Sequence, residues 1–261
     1  MEDILFPKVK SDVKDIQWED WNGRFERALR MPETTIDERM EKLDAIVEIN
    51  EDFRTVATSC SRSILDELFI PENERTIRPA VLNGVAGGVK YIMRGILFKV
   101  ADGSIGPYFG SDEAAAKTYG NELRNVSHFL CASLNVEHKI NIHIALQGVI
   151  EYKGFRIIAQ AKLPIEDEST LKLGTATGRL EDLRVCDSDN ELIETCKDIG
   201  KFLHLAPHDV GGHTVYTCAD LEIHHQIGGD YYALGTCVCA CVCVFLNHSM
   251  SSSHPTHRRL C

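Results

Sequence analysis

Residues 33–60, "ETTIDERMEKLDAIVEINEDFRTVATSC", constrain the fold more than any other stretch. Met40, Leu43, Ile46, Val47, Phe53 and Val56 recur at helical spacing and predict one apolar face of a long amphipathic helix. Thr34 or Thr35 can cap its start, and acids in the first turn suit the helix dipole. Such a helix must bury its face against a second layer, so the chain needs one. Ahead of it, Trp18, Trp21, Phe25, Ala28 and Leu29 within residues 15–31 predict a shorter helix stopped by Pro32. Behind it, a separate short helix is expected around Ser61–Phe69, ending before Pro71.

The character then changes. "NGVAGGVKYIMRGILFKVADG" is punctuated by glycine and predicts short strands and turns. "SDEAAAKTYGNELRNVSHFLCASL" returns to helix period, with Ala115, Tyr119, Leu123, Val126 and Leu130 on one side and Ser111 or Asp112 as cap. In "INIHIALQGVIEYKGFRIIAQAKLPI", Ile140, Ile142, Ile144 and Leu146 alternate, as do Phe155, Ile157, Ala159, Ala161 and Leu163. The spacing predicts a hairpin with "EYKG" between its strands and with Ile144 and Ile157 buried on paired strands. Loop and a strand near Leu171–Leu173 follow, then a helix in "DNELIETCKDIGKFLHL" with Leu192, Ile193, Cys196, Ile199 and Leu203 inward. "HTVYTCADLEI" and "DYYAL" predict short terminal strands. The expected class is α+β: a helical N-terminal layer followed by a mixed, largely antiparallel sheet body with packed helices. No internal repeat is visible.

A chain of 261 residues suffices for a substantial core. No basic start leads into an apolar run, so no signal peptide is expected, and no stretch of 18 apolar residues predicts a membrane span. Cys60, Cys131, Cys186, Cys196 and Cys218 are scattered singly and read as reduced thiols. Up to Leu234, 26 basic and 39 acidic residues leave a charge of −13. That argues against a broad phosphate-binding face.

From Gly235 onward the composition breaks. The run "CVCACVCV" places Cys237, Cys239, Cys241 and Cys243 in strict alternation, and no acid follows Leu234. Thiolates bind soft metals, but structural zinc sites use wider spacing in two separate pairs. Cys and Val codons can instead spell a TG dinucleotide repeat, and Gly-Thr before it can be read from an intron's opening. The expectation is that residues 235–261 are a low-complexity tail, translated intron outside the folded domain, and that residues 1–14 are an N-terminal extension.

Motifs for chemistry are sparse. His204, His208 and His213 cluster in "HLAPHDVGGH", but Pro207 interrupts a shared helix face. His224 and His225 are adjacent and would point opposite ways in a strand. "NGVAGG" lacks the phosphate-loop pattern. Lys99, ending "GILFKVA", and Glu122 in the next helix resemble the strand-lysine and helix-glutamate pair of kinase-type folds. Asp220 and Asp230 are the acids that could follow as metal ligands, yet neither an "HRD" nor a "DFG" string is present. No catalytic residue, metal ligand or cofactor is therefore assigned. Lys99 and Glu122 remain cofactor-binding candidates only under a nucleotide-binding alternative.

Several stretches, read in order, resemble the central domain of the clustered-mitochondria (Clu) family. They are "EDWNGRFERALRMPETTIDERMEKLDAIVEINEDFRTVA", "GILFKVADG", "YFGSDEAAAKTYGNELRNV", "VIEYKGFRIIAQAKLPI", "LKLGTATG", "ELIETCKDIGKFLHLAPHDV" and "YTCADLEIHHQIGGDYYAL", within residues 15–234. The resemblance implies a non-enzymatic, cytoplasmic scaffold linked to mitochondrial distribution. Its implied partners are proteins of the translation machinery or mitochondrial surface, and messenger RNA. Full-length members add a ubiquitin-like region and tetratricopeptide repeats. Neither pattern occurs in these 261 residues, so repeat-dependent RNA binding is not expected of them. In the family the strand resembling "DYYAL" continues with an Asp-aromatic or Asp-Leu step and then an Arg. Here Gly235 and Thr236 follow, which removes an acid that could have served as a kinase metal ligand.

Overall fold

The computed structural model describes residues 20–80, 89–104, 108–137, 140–165, 167–174, 184–185, 189–210, 212–218, 221–226 and 229–235. The N-terminal extension, Trp18, Cys186, Asp220 and the tail beyond Gly235 lie outside these residues. The chain divides into two compact units.

The first unit takes the described residues 20–80, 89–100 and 146–162. Helix α1 (Trp21–Leu29) leads to α2 (Ile36–Glu67), and a 3-10 turn follows at Glu72–Glu74. Thr35 caps α2: its hydroxyl accepts from the Glu38 N–H at 3.2 Å, and the Glu38 carboxylate accepts from the Thr35 N–H at 2.9 Å. These reciprocal bonds satisfy two donors that the helix start leaves open. The short helix expected at Ser61–Phe69 is not separate. Residues 33–70 contain neither glycine nor proline, so nothing breaks the helix at Ser61, and α2 continues to Glu67.

Four antiparallel strands complete this unit in the order β1-β2-β5-β4. They are β1 (Lys90–Met93), β2 (Ile96–Val100), β4 (Gln147–Tyr152) and β5 (Phe155–Ala161). Both hairpins close through two-residue turns with positive φ at each position, Arg94-Gly95 and Lys153-Gly154. That backbone matches strand twist and fixes register. Trp21, Ile49, Phe53, Ala57, Ile64, Leu65, Phe98 and Ile157 share one core. Trp21 meets Phe53 edge-on, with centroids 5.5 Å apart, and its indole N–H donates to the Arg94 carbonyl at 2.9 Å.

The second unit takes the described residues between 101 and 145 and between 163 and 235. Its sheet runs β3-β11-β10-β6-β7. The strands are β3 (Ile142–Ile144), β6 (Leu171–Gly174), β7 (Arg184–Val185), β10 (Glu222–His225) and β11 (Tyr231–Leu234). β3 and β11 are parallel and the other pairs antiparallel. Helices α3 (Asp112–Asn135) and α5 (Asn190–Phe202) bury Phe129, Ala132, Leu192, Cys196 and Ile199 with Ile142, Ile144 and Ile223. A single turn, α4 (Asp167–Thr170), precedes β6, and β8 (His208–Val210) pairs with β9 (His213–Val215). Ser111 caps α3, and Asp189 caps α5. Gly200 is required for close approach: a Cβ there would lie 2.2 Å from the Tyr216 carbonyl oxygen.

The class is α+β with largely antiparallel sheets, as expected. The long hairpin is corrected. Ile144 and Ile157 are both buried, but they are not paired. Ile144 lies opposite Ala233 on β11, whereas Ile157 lies opposite Ile150 and Val100. The turn at Lys153-Gly154 reaches back only to Gln147.

Candidate functional site

The residues considered for nucleotide binding fall in different units. Lys99 sits on β2, only 9% exposed, with Lys90 and Ile158 as its strand neighbours. Glu122 is half-buried on α3 of the second unit. Within that unit, burial and then the nearby Glu122 carboxylate raise the Tyr108 phenol above its ordinary value. Asp230 precedes β11, with a carboxylate oxygen 3.6 Å from His143 Nε2.

The histidines take unlike surroundings. His204 follows the C-cap of α5 in a left-handed conformation and is exposed. His208 and His213 lie on facing strands, opposite Val215 and Val210. His224 and His225 do point opposite ways. His224 is 1% exposed, with Nδ1 2.9 Å from the Thr170 hydroxyl, and its Nε2 lies 3.6 Å from Glu222, beyond hydrogen-bond reach. His225 stacks on Tyr231 at 4.2 Å, with Nε2 3.1 Å from the Gly229 carbonyl oxygen. The Tyr231 hydroxyl donates to Asp189, whose other oxygen accepts from the Leu192 N–H at 3.0 Å. This chain of contacts ties the start of β11 to the start of α5. It reads as structural bracing.

The surface that stands out is on α2. Sequence spacing assigned Met40, Leu43 and Val47 to the core, and the structure places them outside it. Ile36, Met40, Leu43 and Val47 are 78%, 53%, 52% and 46% exposed. No residue from Ile36 to Glu48 is buried, whereas Ile49, Phe53, Ala57, Cys60, Ile64 and Leu65 are. The cause is length. The 32 residues of α2 span about 48 Å, while strands of four to seven residues span roughly 13–23 Å. The helix overruns the sheet that covers its C-terminal half.

The overrun carries an ordered pattern. Ile36, Met40, Leu43 and Val47 are spaced four, three and four residues apart, which keeps them on one side of the helix. Asp37, Glu41, Asp44, Glu48 and Glu51 form a band along one edge of that stripe. Among the described residues, none of these five carboxylates has an ion-pair partner. The opposite edge, through Ile46 and Phe53, leads into the core of the first unit. Past the acidic band lies a groove between α1 and α2, of about 310 Å³, lined by Arg24, Arg27, Met31 and Glu48 among others. Sequence reasoning found the apolar residues but missed the carboxylates beside them. The seven-residue spacing of Asp37, Asp44 and Glu51 was the available signal.

Comparison with known proteins places the chain in a family. The family model described as "Clustered mitochondria" matches residues 20–242. The chain therefore belongs to the clustered mitochondria family. Similar curated proteins include the "Clustered mitochondria protein homolog" of Culex quinquefasciatus, 26% identical over 82% of this chain and 15% of the relative. The homolog of Aedes aegypti is also 26% identical, over 82% of this chain and 14% of its own length. "Protein clueless" of Drosophila willistoni is 25% identical over the same shares. The chain thus spans about one seventh of these relatives' length. No solved structure matches. No helix among the described residues is long and apolar enough to cross a membrane.

Proposed function

We propose that this chain is a non-catalytic binding module of a cytoplasmic scaffold that acts in mitochondrial distribution, with the translation machinery, mitochondrial-surface proteins or messenger RNA among its associates. The observation that carries the reading is the α2 overrun, a capped helix presenting apolar side chains to solvent beside the unpartnered carboxylates. Exposed patches of that kind mark interaction sites. The names of the relatives support the mitochondrial part, since they refer to clustered mitochondria. The module covers residues 15–234 in this reading, with the cysteine-rich tail outside it.

The second reading, a nucleotide-binding or phosphotransferase domain using Lys99 and Glu122, is favoured by the burial of Lys99 on a sheet strand. The purified chain, given ATP or GTP with magnesium or manganese, separates the two. The binding module is expected to show neither turnover nor a shift in melting temperature, because a ligand that binds only the folded state raises apparent stability. Turnover that disappears in Lys99→Ala, with the fold retained, would overturn the reading.

A further inference from the structure

The α2 overrun has a pattern specific enough to name its occupant. We propose that residues 36–51 form a docking face for a basic amphipathic helix. The proposal rests on the binding-module reading and gives it a partner chemistry.

Three features carry the inference. The apolar stripe repeats at four and three residues, the spacing by which one helix seats its side chains between those of another. Ile36, Met40, Leu43 and Val47 are each about half exposed or more, so four large apolar side chains stand in a row at the surface, and contiguous apolar exposure of that kind marks interaction sites. The flank is charged with one sign only. Asp37, Glu41, Asp44, Glu48 and Glu51 line the side facing solvent, and no lysine or arginine interrupts that band.

The two bases within residues 36–51 are engaged with Glu33, while Arg24 and Arg27 lie across the groove and Arg54 lies past the end of the face. Arg39 donates to the Glu33 carbonyl at 2.8 Å, and Lys42 pairs with the Glu33 carboxylate at 3.0 Å. A helix laid in the stripe must therefore face five carboxylates along one edge, and lysine or arginine at that edge complements them. Two copies of this chain, each at net charge −11, that paired their stripes antiparallel would set acidic band against acidic band. An acidic partner helix meets the same repulsion.

The test uses the full chain and three labelled helical peptides of about three heptads, with leucine at the seam positions. One has lysines along its flanks, one has glutamates, and one is the lysine peptide with its order scrambled. Fluorescence anisotropy is expected to show saturable binding of the lysine peptide, about tenfold tighter than the glutamate peptide at low salt. The gap should close as salt shortens the screening length to a few ångströms. Asp44→Lys with Glu51→Lys is expected to weaken the lysine peptide and strengthen the glutamate one. Met40→Ser with Leu43→Ser is expected to weaken both. All four substituted residues are exposed, and circular dichroism checks that each variant keeps its fold.

Equal affinity for the lysine and glutamate peptides, or binding equal to the scrambled peptide, would overturn the proposal. So would a concentration-dependent dimer in sedimentation that Met40→Glu with Leu43→Glu abolishes, since the occupant would then be a second copy. Each of these outcomes leaves the binding-module reading standing. That reading fails separately, on nucleotide turnover that depends on Lys99.

Discussion

Phe53 and Leu43 lie on the same helix and share one predicted apolar face, yet the structure gives them opposite roles. Phe53 is 3% exposed and meets Trp21 edge-on, while Leu43 is 52% exposed. Phe53→Ala removes a buried ring and leaves a cavity, at a cost of about 3–5 kcal/mol. Leu43→Ala removes a side chain that is only half covered. The lost burial is worth about 1 kcal/mol, and the higher helix propensity of alanine offsets a part of it. Thermal unfolding followed by tryptophan fluorescence in a Trp18→Phe background reads the difference, because Trp21 is in contact with Phe53 and reports on its own unit. At roughly 2–4 °C per kcal/mol, the Phe53 variant should melt on the order of 10 °C lower and the Leu43 variant within a few degrees of the parent. Equal losses for the two variants would refute the placement of the α2 stripe at the surface.

The cap of α2 gives a pH signature. Hydrogen bonding, first from the Thr35 N–H, lowers the Glu38 pKa below its ordinary 4.5. Its contribution is therefore present above about pH 4.5 and is lost as pH falls through the lower folded-state value. Thr35→Ala should cost about 1 kcal/mol at neutral pH, and the stability difference between parent and Glu38→Gln should vanish toward pH 3, as read by denaturant titration. Among the described cysteines, Cys131 is exposed, whereas burial pushes the Cys196 thiol up to about 12. Brief maleimide labelling with peptide mapping should therefore mark Cys131 and spare Cys196, and the reverse order would contradict the packing of α5. Deleting residues 236–261 should leave the melting temperature unchanged and slow oxidative precipitation. A drop in melting temperature would show that the tail belongs to the fold.

Much of the local structure is legible in the sequence. Ser111 and Thr35 announce their helices, and the alternation in Phe155–Ala161 announces its strand. Pairing was less legible, for a specific reason. Apolar alternation runs unbroken from Ile140 through Leu146, although the chain passes from one unit to the other between Ala145 and Leu146. Periodicity reports which residues share a face and is blind to which partner covers it. Counting back from the two-residue turn at Lys153-Gly154 would have placed Gln147, rather than Ile140, at the start of the paired strand. The same blindness assigned Met40 and Leu43 to a core. Their spacing is that of buried residues, and only the length of α2 against its sheet reveals that nothing among the described residues buries them. The candidate surface is where periodicity and packing part company.

Binding through α2, rather than chemistry at Lys99, is the central claim, and mitochondrial distribution in living cells tests it most directly. Cells lacking the endogenous protein would express the parent chain, Lys99→Ala, or Met40→Glu with Leu43→Glu, each at matched level and with its fold verified. The account expects the parent and Lys99→Ala to distribute mitochondria alike and the double variant to differ from both. A Lys99→Ala chain that fails, beside a double variant that performs like the parent, would contradict it.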